Sequence, residues 1–331
     1  MIESKIGKFS KFLILFISGL SLIFILGRDH YLLGIALIIG RWFLLIVGLI
    51  LAYWLRKREY PKFLTVLLYS SLTLISIEYA FIKLNEAHLE TTSHTQTLSL
   101  LTYNVYFKNK HPRSIVKRIK ATSPDVLCFQ ELTPNINSYL IKSIGTLYPY
   151  RLVNAINGTH GIGVYSKYPI KKITELKNQI GLPYAQLMQL IIKGRKVGLV
   201  NVHLASPSVA LENPDRFFSL LKTNHLIRKK QINKINLALQ NNYPERNIIM
   251  TGDLNTTEYE PLYRELCTNW VNINKIVSKK AENTFPNSHK TSPLLILDYV
   301  FMKGRIQALE SKVLQGGTSD HLAVYAVLGL E

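Results

Sequence analysis

The stretch "GGTSDHLAVYAVLGL", residues 316–330, places an acid and a base, Asp320 and His321, directly before an apolar run typical of a β-strand. Taken alone, the residues before Asp320 predict a turn, and an aspartate commonly ends one. The same arrangement recurs along the chain, however. That recurrence decides the interpretation of the fold.

Five further β-rich runs end in residues able to do chemistry: "LSLLTYNVY" (98–106), "DVLCFQEL" (125–132), "KVGLVNVHLA" (196–205), "NIIMTGDLN" (247–255) and "LLILDYVFM" (294–302). The residues that they deliver are Asn104, Glu131, His203, Asp253 with Asn255, and Asp298. Any one of them could be a plain turn residue. Six such endings together are hard to explain as turns alone.

Helical periodicity separates several of these runs. The apolar spacing predicts helices over 113–122, 214–240 and 260–267, the second with a break around Thr223 and Asn224. Pro124 disfavours helical geometry at the residue before it, so the first helix ends there. Strands that alternate with helices, and strands joined only by turns, predict an α/β fold with mixed sheets.

The composition narrows the class of partner. The chain of 331 residues carries 40 Lys and Arg against 21 Asp and Glu, a net charge of +19. Residues 1–90 hold ten of the bases and six of the acids, so the other thirty bases and fifteen acids, a net +15, lie in 91–331. Polyanions and anionic membrane surfaces are the expected partners. Two cysteines, Cys128 and Cys267, exclude a disulfide framework and a cysteine-based zinc site.

Three apolar runs, at 12–26, 31–55 and 63–82, predict a membrane anchor over residues 1–83 with about three transmembrane helices. Arg41 interrupts the second run, so part of 31–40 could lie at the interface. A cleaved signal peptide fits poorly, because no small-residue cleavage site follows the first run. Residues 84–97 are polar and predict a linker, and 98–331 a catalytic domain.

The distribution of positive charge predicts the orientation of this anchor. Lys5, Lys8 and Lys11 precede the first run and Arg56 to Arg58 follow the second, which predicts that the N-terminus and the connection between the second and third runs lie in the cytoplasm. With three spans, we expect a multi-pass membrane protein whose domain at 98–331 is extracytoplasmic. A miscount by one span inverts this prediction.

The polar residues suit phosphate chemistry. Carboxylate and amide oxygens with few nitrogens are the ligands that Mg²⁺ or Mn²⁺ prefers, and both ions share their coordination sphere with phosphate. Zinc is less suited, since no His-x-x-x-His or cysteine pair occurs. Hydrolysis of a phosphate ester further needs a carboxylate that deprotonates water and donors for the phosphoryl oxygens. The set supplies both.

The motifs "TYNV", "PDVLCFQE", "VNVHL", "GDLN", "LDYVF" and "SDH", in this order, resemble the signature of the endonuclease/exonuclease/phosphatase superfamily. That superfamily includes deoxyribonuclease I, apurinic-site endonucleases, sphingomyelinases and inositol polyphosphate 5-phosphatases. "GIGVYSKYPI" (161–170) also resembles one of its strand-and-turn motifs. The likeness spans about 98–330, and with apolar runs in front it is closest to bacterial membrane-anchored members of unassigned substrate. The resemblance therefore implies a location in the bacterial plasma (inner) membrane.

The resemblance implies a four-layer α/β (α+β) sandwich, in which two packed mixed β-sheets are flanked by helices, preceded here by the helical transmembrane region. It also implies roles for single residues. Glu131, Asn104 and Asp320 would be the metal ligands, Asp253 would deprotonate water, and Asn255 would hold that water or a phosphoryl oxygen. His321 would donate to the phosphate with Asp298 accepting from its other nitrogen. His203 would be the second family histidine, either a phosphate donor or the acid for the leaving oxygen. Asn109 would assist at the first loop or be a plain turn residue.

One position departs from the family pattern. The family often carries a basic residue before the aspartate of "LDYVF", where this chain has Leu297. The resemblance therefore leaves open how the loop that ends at Asp298 is supported.

Three functions remain open at this level. The first is a divalent-metal-dependent nuclease or general phosphodiesterase, the second a phospholipid or sphingolipid phosphodiesterase or phosphatase, and the third a catalytically silent, membrane-tethered interaction module. Basic stretches at 108–120 and 226–234 suit nucleic acid or phospholipid, but they also fit plain solvated helix faces. An intact set of acids and imidazoles argues against the silent module, because buried charges are costly without a use. Protein partners are not predicted.

Overall fold

The computed structural model describes residues 96–243, 247–277, 282–288 and 292–330, with isolated positions between 53 and 67. The chain divides into two compact units, Met1–Ala87 with Glu258–Glu265 and His88–Thr257 with Leu266–Glu331. Among the described residues, no helix has the length and apolar character needed to cross a bilayer. The three predicted spans lie almost entirely outside the described residues and stay predictions.

The described strands are β1 (Gln96–Asn104), β2 (Val126–Gln130), β3 (Tyr150–Asn154), β4 (Ile162–Ser166), β5 (Ile170–Lys177), β6 (Pro183–Ile192), β7 (Arg195–His203), β8 (Ile248–Asp253), β9 (Val271–Asn272), β10 (Asp298–Lys303), β11 (Ile306–Leu314) and β12 (Ala323–Leu330). The described helices are α1 (Pro112–Thr122), α2 (Pro134–Ile144), α3 (Ser208–Leu211), α4 (Phe217–Asn242), α5 (Pro261–Cys267) and α6 (Ile273–Val277). A 3₁₀ turn, Pro214–Arg216, precedes α4.

The strands form two six-stranded sheets, with the orders β11-β12-β1-β2-β4-β3 and β5-β6-β7-β8-β10-β9. Each sheet has a parallel pair at its centre, β1 with β2 and β7 with β8, and its other pairs are antiparallel. A parallel pair needs a crossover connection, which α1 supplies in the first sheet and α3 with α4 in the second. The carboxyl ends of each pair therefore meet at the same edge of their sheet.

The two sheets pack face to face. One cluster of buried side chains joins Leu98 and Val164 of the first sheet to Met188, Leu199 and Ile249 of the second. Burial of this apolar surface is the main stabilising term, at about 25 cal/mol per Å² removed from water. The structure confirms the predicted pair of packed mixed sheets.

Helices cover the outer faces. α1 places Ile115, Val116 and Ile119 against the first sheet, at the spacing that the sequence predicts, and α2 joins the same cluster through Leu140. The second sheet is tied to the end of α4, where the hydroxyl of Tyr243 donates to the carbonyl of Met188 at 2.6 Å. The helices that flank the sheets are thus as predicted.

Two element boundaries differ from the prediction. The predicted break near Thr223 and Asn224 is wrong, because α4 runs on through both residues. Their polar side chains bond without interrupting the helix: Thr223 Oγ1 donates to the carbonyl of Ser219 one turn earlier, and Asn224 Nδ2 donates to that of Ser206. The strand predicted from 294 begins only at Asp298.

Candidate active site

Strand register brings the predicted polar residues together. His203, the last residue of β7, pairs with Asp253, the last of β8, and Asp253 pairs in turn with Asp298, the first of β10. In the other sheet, Asn104 at the end of β1 pairs with Gln130, one residue before Glu131. Neighbouring strands lie about 4.8 Å apart, so these side chains leave adjacent strands within reach of one another.

Asn104 links the two sheets at this edge. Its Nδ2 donates to Asp253 Oδ2 at 3.0 Å and to Glu131 Oε1 at 3.3 Å, so one amide joins carboxylates from different sheets. Its own Oδ1 accepts from the backbone N–H of Tyr106, which fixes the orientation of the amide. The second oxygen of Glu131, Oε2, accepts from the N–H of Phe107. The side chain of Asn104 is fully buried.

Two imidazoles face the same carboxylate oxygen. His203 Nε2 and His321 Nε2 each lie 3.6 Å from Asp253 Oδ2. The other ring nitrogen of His321, Nδ1, lies 2.8 Å from Asp298 Oδ2, and the ring stacks at a tilt against Phe285, with 4.8 Å between ring centroids. His203, Asp253, Asp298 and His321 form what we call the imidazole half of the site.

Asp320 lies beside this group on the loop before β12. The hydroxyl of Ser319 accepts from the N–H of His321 and donates to the carbonyl of Asn104 at 2.6 Å, which ties the loop to the end of β1. The charges of Glu131, Asp253 and His321 all act on Asp320. We call Asn104, Glu131 and Asp320 the carboxylate half. Within the described part of the chain, neither Glu131 nor Asp320 forms a salt bridge.

The backbone at the site is strained. Tyr106, Glu131 and Asn255, which follow three different strands, have φ values of 61°, 56° and 48°, in the left-handed region that such residues rarely adopt. Residues held in this way cluster at functional sites. Gly252 has φ of 141°, and a Cβ there would lie 2.0 Å from the carbonyl oxygen of Val202. The glycine of "GDLN" therefore allows β8 to bring Asp253 close to β7.

Burial and charge shift the acid–base properties of three groups. Desolvation raises the pKa of Asp253, opposed by the positive charge of His321 and reinforced by the carboxylate of Asp298. Desolvation also raises the pKa of Asp320 to about 6, opposed by His321 and reinforced by Glu131. Burial lowers the pKa of His321, but the carboxylates of Asp298 and Asp253 outweigh it and raise that pKa to about 10. His321 is therefore an imidazolium at neutral pH.

Asn255 and Asn109 have structural roles in this arrangement. The N–H of Asn255 donates to Asp253 Oδ1 at 2.8 Å, and its Nδ2 donates to the carbonyl of Leu204, which connects the loops after β7 and β8. Asn109 bonds to the backbone of Val105 and His111 and accepts from the hydroxyl of Thr318. Of the two roles considered for Asn109, the structure supports that of a turn residue.

Two sets of groups have donor atoms suited to a metal ion. Asp253, Asp298 and His321 offer ligand atoms within 4.8 Å of one another and could hold a cation. Those groups already balance one another, since His321 is charged between two carboxylates. The carboxylate half offers hard oxygens from Glu131 and Asp320, which no ion pair in the described part of the chain neutralises, and this is the chemistry that Mg²⁺ or Mn²⁺ fits.

The sequence pattern does not predict three further residues that support or adjoin the site. A guanidinium N–H of buried Arg228 donates to the carbonyl of Asn255, and Thr284 Oγ1 accepts from the N–H groups of Leu297 and Asp298. His160 lies where the charges of His203 and Glu131 both act on it. Arg228 sits in a predicted basic helix face, and Thr284 in a stretch without periodicity. His160 directly precedes the "GIGVYSKYPI" motif, which was the one available signal.

The departure at Leu297 is compensated by the backbone. Its N–H donates to Thr284 Oγ1 at 3.1 Å and its carbonyl accepts from the N–H of Leu254 at 2.9 Å. The loop that ends at Asp298 is thus held without a basic side chain at this position.

Comparison with known proteins agrees with this geometry. Residues 101–321 match the model of the Endonuclease/Exonuclease/phosphatase family, while no curated protein matches the chain. The fold is similar to D. rerio TDP2 complexed with single strand DNA product, at 20% identity over 71% of this chain and 100% of that one, with a TM-score of 0.55. It is also similar to an endonuclease/exonuclease/phosphatase from Bacteroides vulgatus, at 16% identity over 72% of this chain and 100% of that one, with a TM-score of 0.53.

Truncated Caenorhabditis elegans TDP2 is similar at 16% identity over 72% of this chain and 100% of that one, with a TM-score of 0.53. At such identities the likeness to solved structures extends to the fold alone. The family match is broader, because it covers about two thirds of the chain, from the middle of β1 to His321, the last residue of the site. The chain belongs to the endonuclease/exonuclease/phosphatase family.

Proposed function

We propose that the chain is a divalent-metal-dependent phosphodiesterase, anchored in the bacterial plasma membrane, that cleaves phosphate diesters by attack of water. One observation carries the proposal: a buried imidazolium, His321, is paired with Asp298 and lies 3.6 Å from Asp253, next to two carboxylates that have no ion-pair partner among the described residues. The first group suits a phosphate anion and the second a cation. Only a substrate that brings both together uses the whole site.

The residues divide the reaction between them. Asp253, buried and with a raised pKa, accepts a proton from the attacking water, whose oxygen bonds to phosphorus. His321 and His203 donate hydrogen bonds to phosphoryl oxygens, and as the bond from phosphorus to the leaving oxygen breaks, His203 protonates that oxygen. Glu131, Asn104 and Asp320 would hold Mg²⁺ or Mn²⁺. A bound cation would neutralise charge on the phosphate.

Nucleic acid is the first substrate class. The net charge of +15 on residues 91–331 suits a polyanion. D. rerio TDP2, which shares the fold, is complexed with single strand DNA product. A lipid phosphodiesterase is the second candidate, favoured by a group of exposed apolar side chains between Val209 and Ile227.

A substrate comparison tests the proposal. The purified full chain, in detergent with Mg²⁺, is incubated with a small chromogenic phosphodiester, single-stranded and duplex DNA, RNA, sphingomyelin and phosphatidylinositol phosphates. We expect metal-dependent cleavage of the small diester and of nucleic acid, and loss of both in EDTA. Cleavage of lipid alone would replace the first substrate class by the second. No cleavage of any phosphoester, with metal binding demonstrated, would leave the silent module as the remaining function.

A further inference from the structure

The long helix α4 has two different halves. Its buried residues are confined to the second half, and they are Arg228, Gln231, Ile232, Ile235 and Leu239. From Phe217 to Ile227 no residue is buried. The first half of α4 therefore extends past the core instead of packing on it.

The first half of α4 extends beyond the edge of the sheets at which the candidate active site lies, which we call the catalytic edge. Arg228 marks the level of that edge, because its guanidinium donates to the carbonyl of Asn255. The helix runs antiparallel to the strands it connects, so its amino-terminal end lies on the side where His203 and Asp253 end. The residues from Phe217 to Ile227 span about 16 Å at 1.5 Å per residue. With α3 they form what we call the projecting hairpin, residues 208–227.

The projecting hairpin is a built structure with an apolar surface. Asn224 Nδ2 donates to the carbonyl of Ser206 at 2.6 Å, which fastens the helix to the loop after His203. Among its large apolar side chains, several are well exposed: Val209 (54%), Leu211 (69%), Phe218 (63%), Leu226 (47%) and Ile227 (42%). Exposed apolar side chains gathered in one segment mark an interaction site more often than single ones do.

Basic residues accompany this apolar surface. α4 contains four lysines, Lys222, Lys229, Lys230 and Lys234, and no Asp or Glu, whereas the hairpin's two acids, Glu212 and Asp215, precede the helix beside Arg216. Phe218, Lys222 and Leu226 follow one another at four-residue intervals and share a face, and Lys222 and Lys230 are both exposed. Apolar side chains with interspersed bases are the pattern of helices that lie in the interface of an anionic bilayer.

We propose that the projecting hairpin docks on an anionic lipid surface, with Leu211 and Phe218 entering the boundary between head groups and acyl chains. A second copy of the chain fits less well, because a symmetric contact would bring the lysines of two α4 helices together, with only Glu212 and Asp215 of each hairpin to offset them. Nucleic acid fits less well, because Val209, Leu211 and Ile227 offer neither a donor nor an aromatic face to a base.

The tether length permits this docking. The last apolar run ends at residue 82 and β1 begins at Gln96, so the chain between them can extend about 45 Å at roughly 3.3 Å per residue. β1 starts at the edge opposite the site and covers about 27 Å before it reaches Asn104. A chain anchored by the predicted spans is therefore long enough for the catalytic edge to face the bilayer. Docking itself does not depend on the reaction that the site performs.

Fluorescence quenching by lipid tests the proposal in the full chain. Phe218→Trp and, as control, Ile180→Trp are each reconstituted in vesicles of phosphatidylglycerol and phosphatidylcholine, with and without brominated acyl chains. Ile180 is 76% exposed in the turn between β5 and β6. The signal of the unsubstituted chain is subtracted, which removes the contribution of Trp42, Trp54 and Trp270. Both leaflets have the same composition, so the orientation of the chain does not affect the result.

We expect brominated lipid to quench about half of the added emission in Phe218→Trp and to leave the added emission in Ile180→Trp unchanged, since docked side chains reach about 5–10 Å into the bilayer. Adding Lys222→Glu and Lys230→Glu, or omitting phosphatidylglycerol, should reduce the quenching in Phe218→Trp at least twofold. Equal quenching in both variants would overturn the proposal. A blue-shifted emission in Phe218→Trp that grows with protein density and is not quenched would also overturn it, in favour of a second copy of the chain.

Discussion

The two halves of the site differ in how their charge is balanced. In the imidazole half, the charged ring of His321 lies between the carboxylates of Asp298 and Asp253. In the carboxylate half, Glu131 accepts hydrogen bonds from Asn104 and Phe107, and its charge acts on the nearby carboxylate of Asp320. Neither carboxylate forms a salt bridge within the described residues. The first arrangement pairs its charges within the fold, which offsets part of the cost of burying them, whereas the second is unfavourable until a cation arrives.

The fold alone therefore preorganises the imidazole half, whereas the carboxylate half needs a bound cation to balance its charge. The imidazole half is preorganised, because Asp298 sits in a strand and its N–H is held by Thr284. The carboxylate half depends on loops with left-handed residues, Tyr106 and Glu131. We therefore expect changes in the first half to affect turnover with little effect on metal binding, and changes in the second half to do the reverse.

The largest expected effect comes from removing the preorganised imidazolium. His321→Ala should lower kcat for a small phosphodiester by about 10²–10³, the usual cost of losing a donor to developing negative charge. Binding of Mn²⁺, measured by calorimetry, should change little. His111→Ala removes an exposed imidazole at the start of α1 and is the control. Near-normal turnover by His321→Ala would contradict the division into halves.

Glu131→Gln should act on the other half. Replacing a charged ligand by a neutral amide of the same shape should weaken Mn²⁺ binding by about a hundredfold, at the upper end of what losing support at a metal site costs. High Mn²⁺ concentrations should restore much of the turnover, which they would not do for His321→Ala. The exposed acid Glu212 offers the control Glu212→Gln. Unchanged calorimetric affinity in Glu131→Gln would move the cation to the cluster of Asp253, Asp298 and His321.

The sequence predicts much of this arrangement because strand ends are local features. Each site residue lies at an end of a β-rich run, and parallel strand pairs bring such ends to one edge of a sheet. These residues are Asn104, Glu131, His203, Asp253, Asp298, Asp320 and His321. The family resemblance predicts the pairing of His321 with Asp298, and in the structure His321 Nδ1 lies 2.8 Å from Asp298 Oδ2. What local pattern cannot give is the register that sets His203 opposite Asp253.

The features missed depend on contacts between distant segments. The bond from Arg228 to the carbonyl of Asn255 spans 27 residues, and nothing in a run of basic residues distinguishes the one that is buried. The continuity of α4 through Thr223 and Asn224 depends on whether their side chains find partners. Both residues favour turns in isolation, and the carbonyls of Ser219 and Ser206 remove that preference.

The charge on the carboxylate half should also affect the free energy of unfolding. The pKa of Asp320 is raised to about 6 in the fold, above its value near 3.9 in the unfolded chain, so the folded state binds this proton more tightly. Without metal, this group contributes most to stability below about pH 4, and its contribution is lost as the pH rises through about 6. Asp320→Asn should therefore stabilise the metal-free chain at pH 7.5 by roughly 2 kcal/mol.

Thermal unfolding in EDTA, compared between pH 4.5 and pH 7.5, measures this effect. The stabilising effect of Asp320→Asn should shrink towards the lower pH, where the native aspartate is protonated in the fold. Adding Mg²⁺ should stabilise the native chain more than the variant. Glu212→Gln again serves as the control, because that side chain is exposed. A variant less stable than the native chain at pH 7.5 would show that the carboxylate half is balanced by the fold itself.

The smallest effect is expected at the boundary between the halves, where His160 responds to the charge of His203 from one side and of Glu131 from the other. Its loop is fixed next to Glu131, because the N–H of Leu132 donates to the carbonyl of Gly161 at 3.0 Å and its carbonyl accepts from Ile156. The ring is half-buried, and burial with the charge of His203 lowers its pKa, so it is a neutral donor at pH 7.5.

His160→Gln keeps a donor of similar length and tests this position. A residue that contacts the substrate equally before and during reaction should change KM alone, and we expect KM for a dinucleotide to rise about threefold to tenfold in His160→Ala and less in His160→Gln, with kcat retained. The exposed Asn157, three residues earlier in the same loop and changed to Ala, is the control, because the hydroxyl of Thr159 bonds to the ring of His160. A fall in kcat with an unchanged KM would instead place His160 in the imidazole half, since only a group acting in the transition state has that effect.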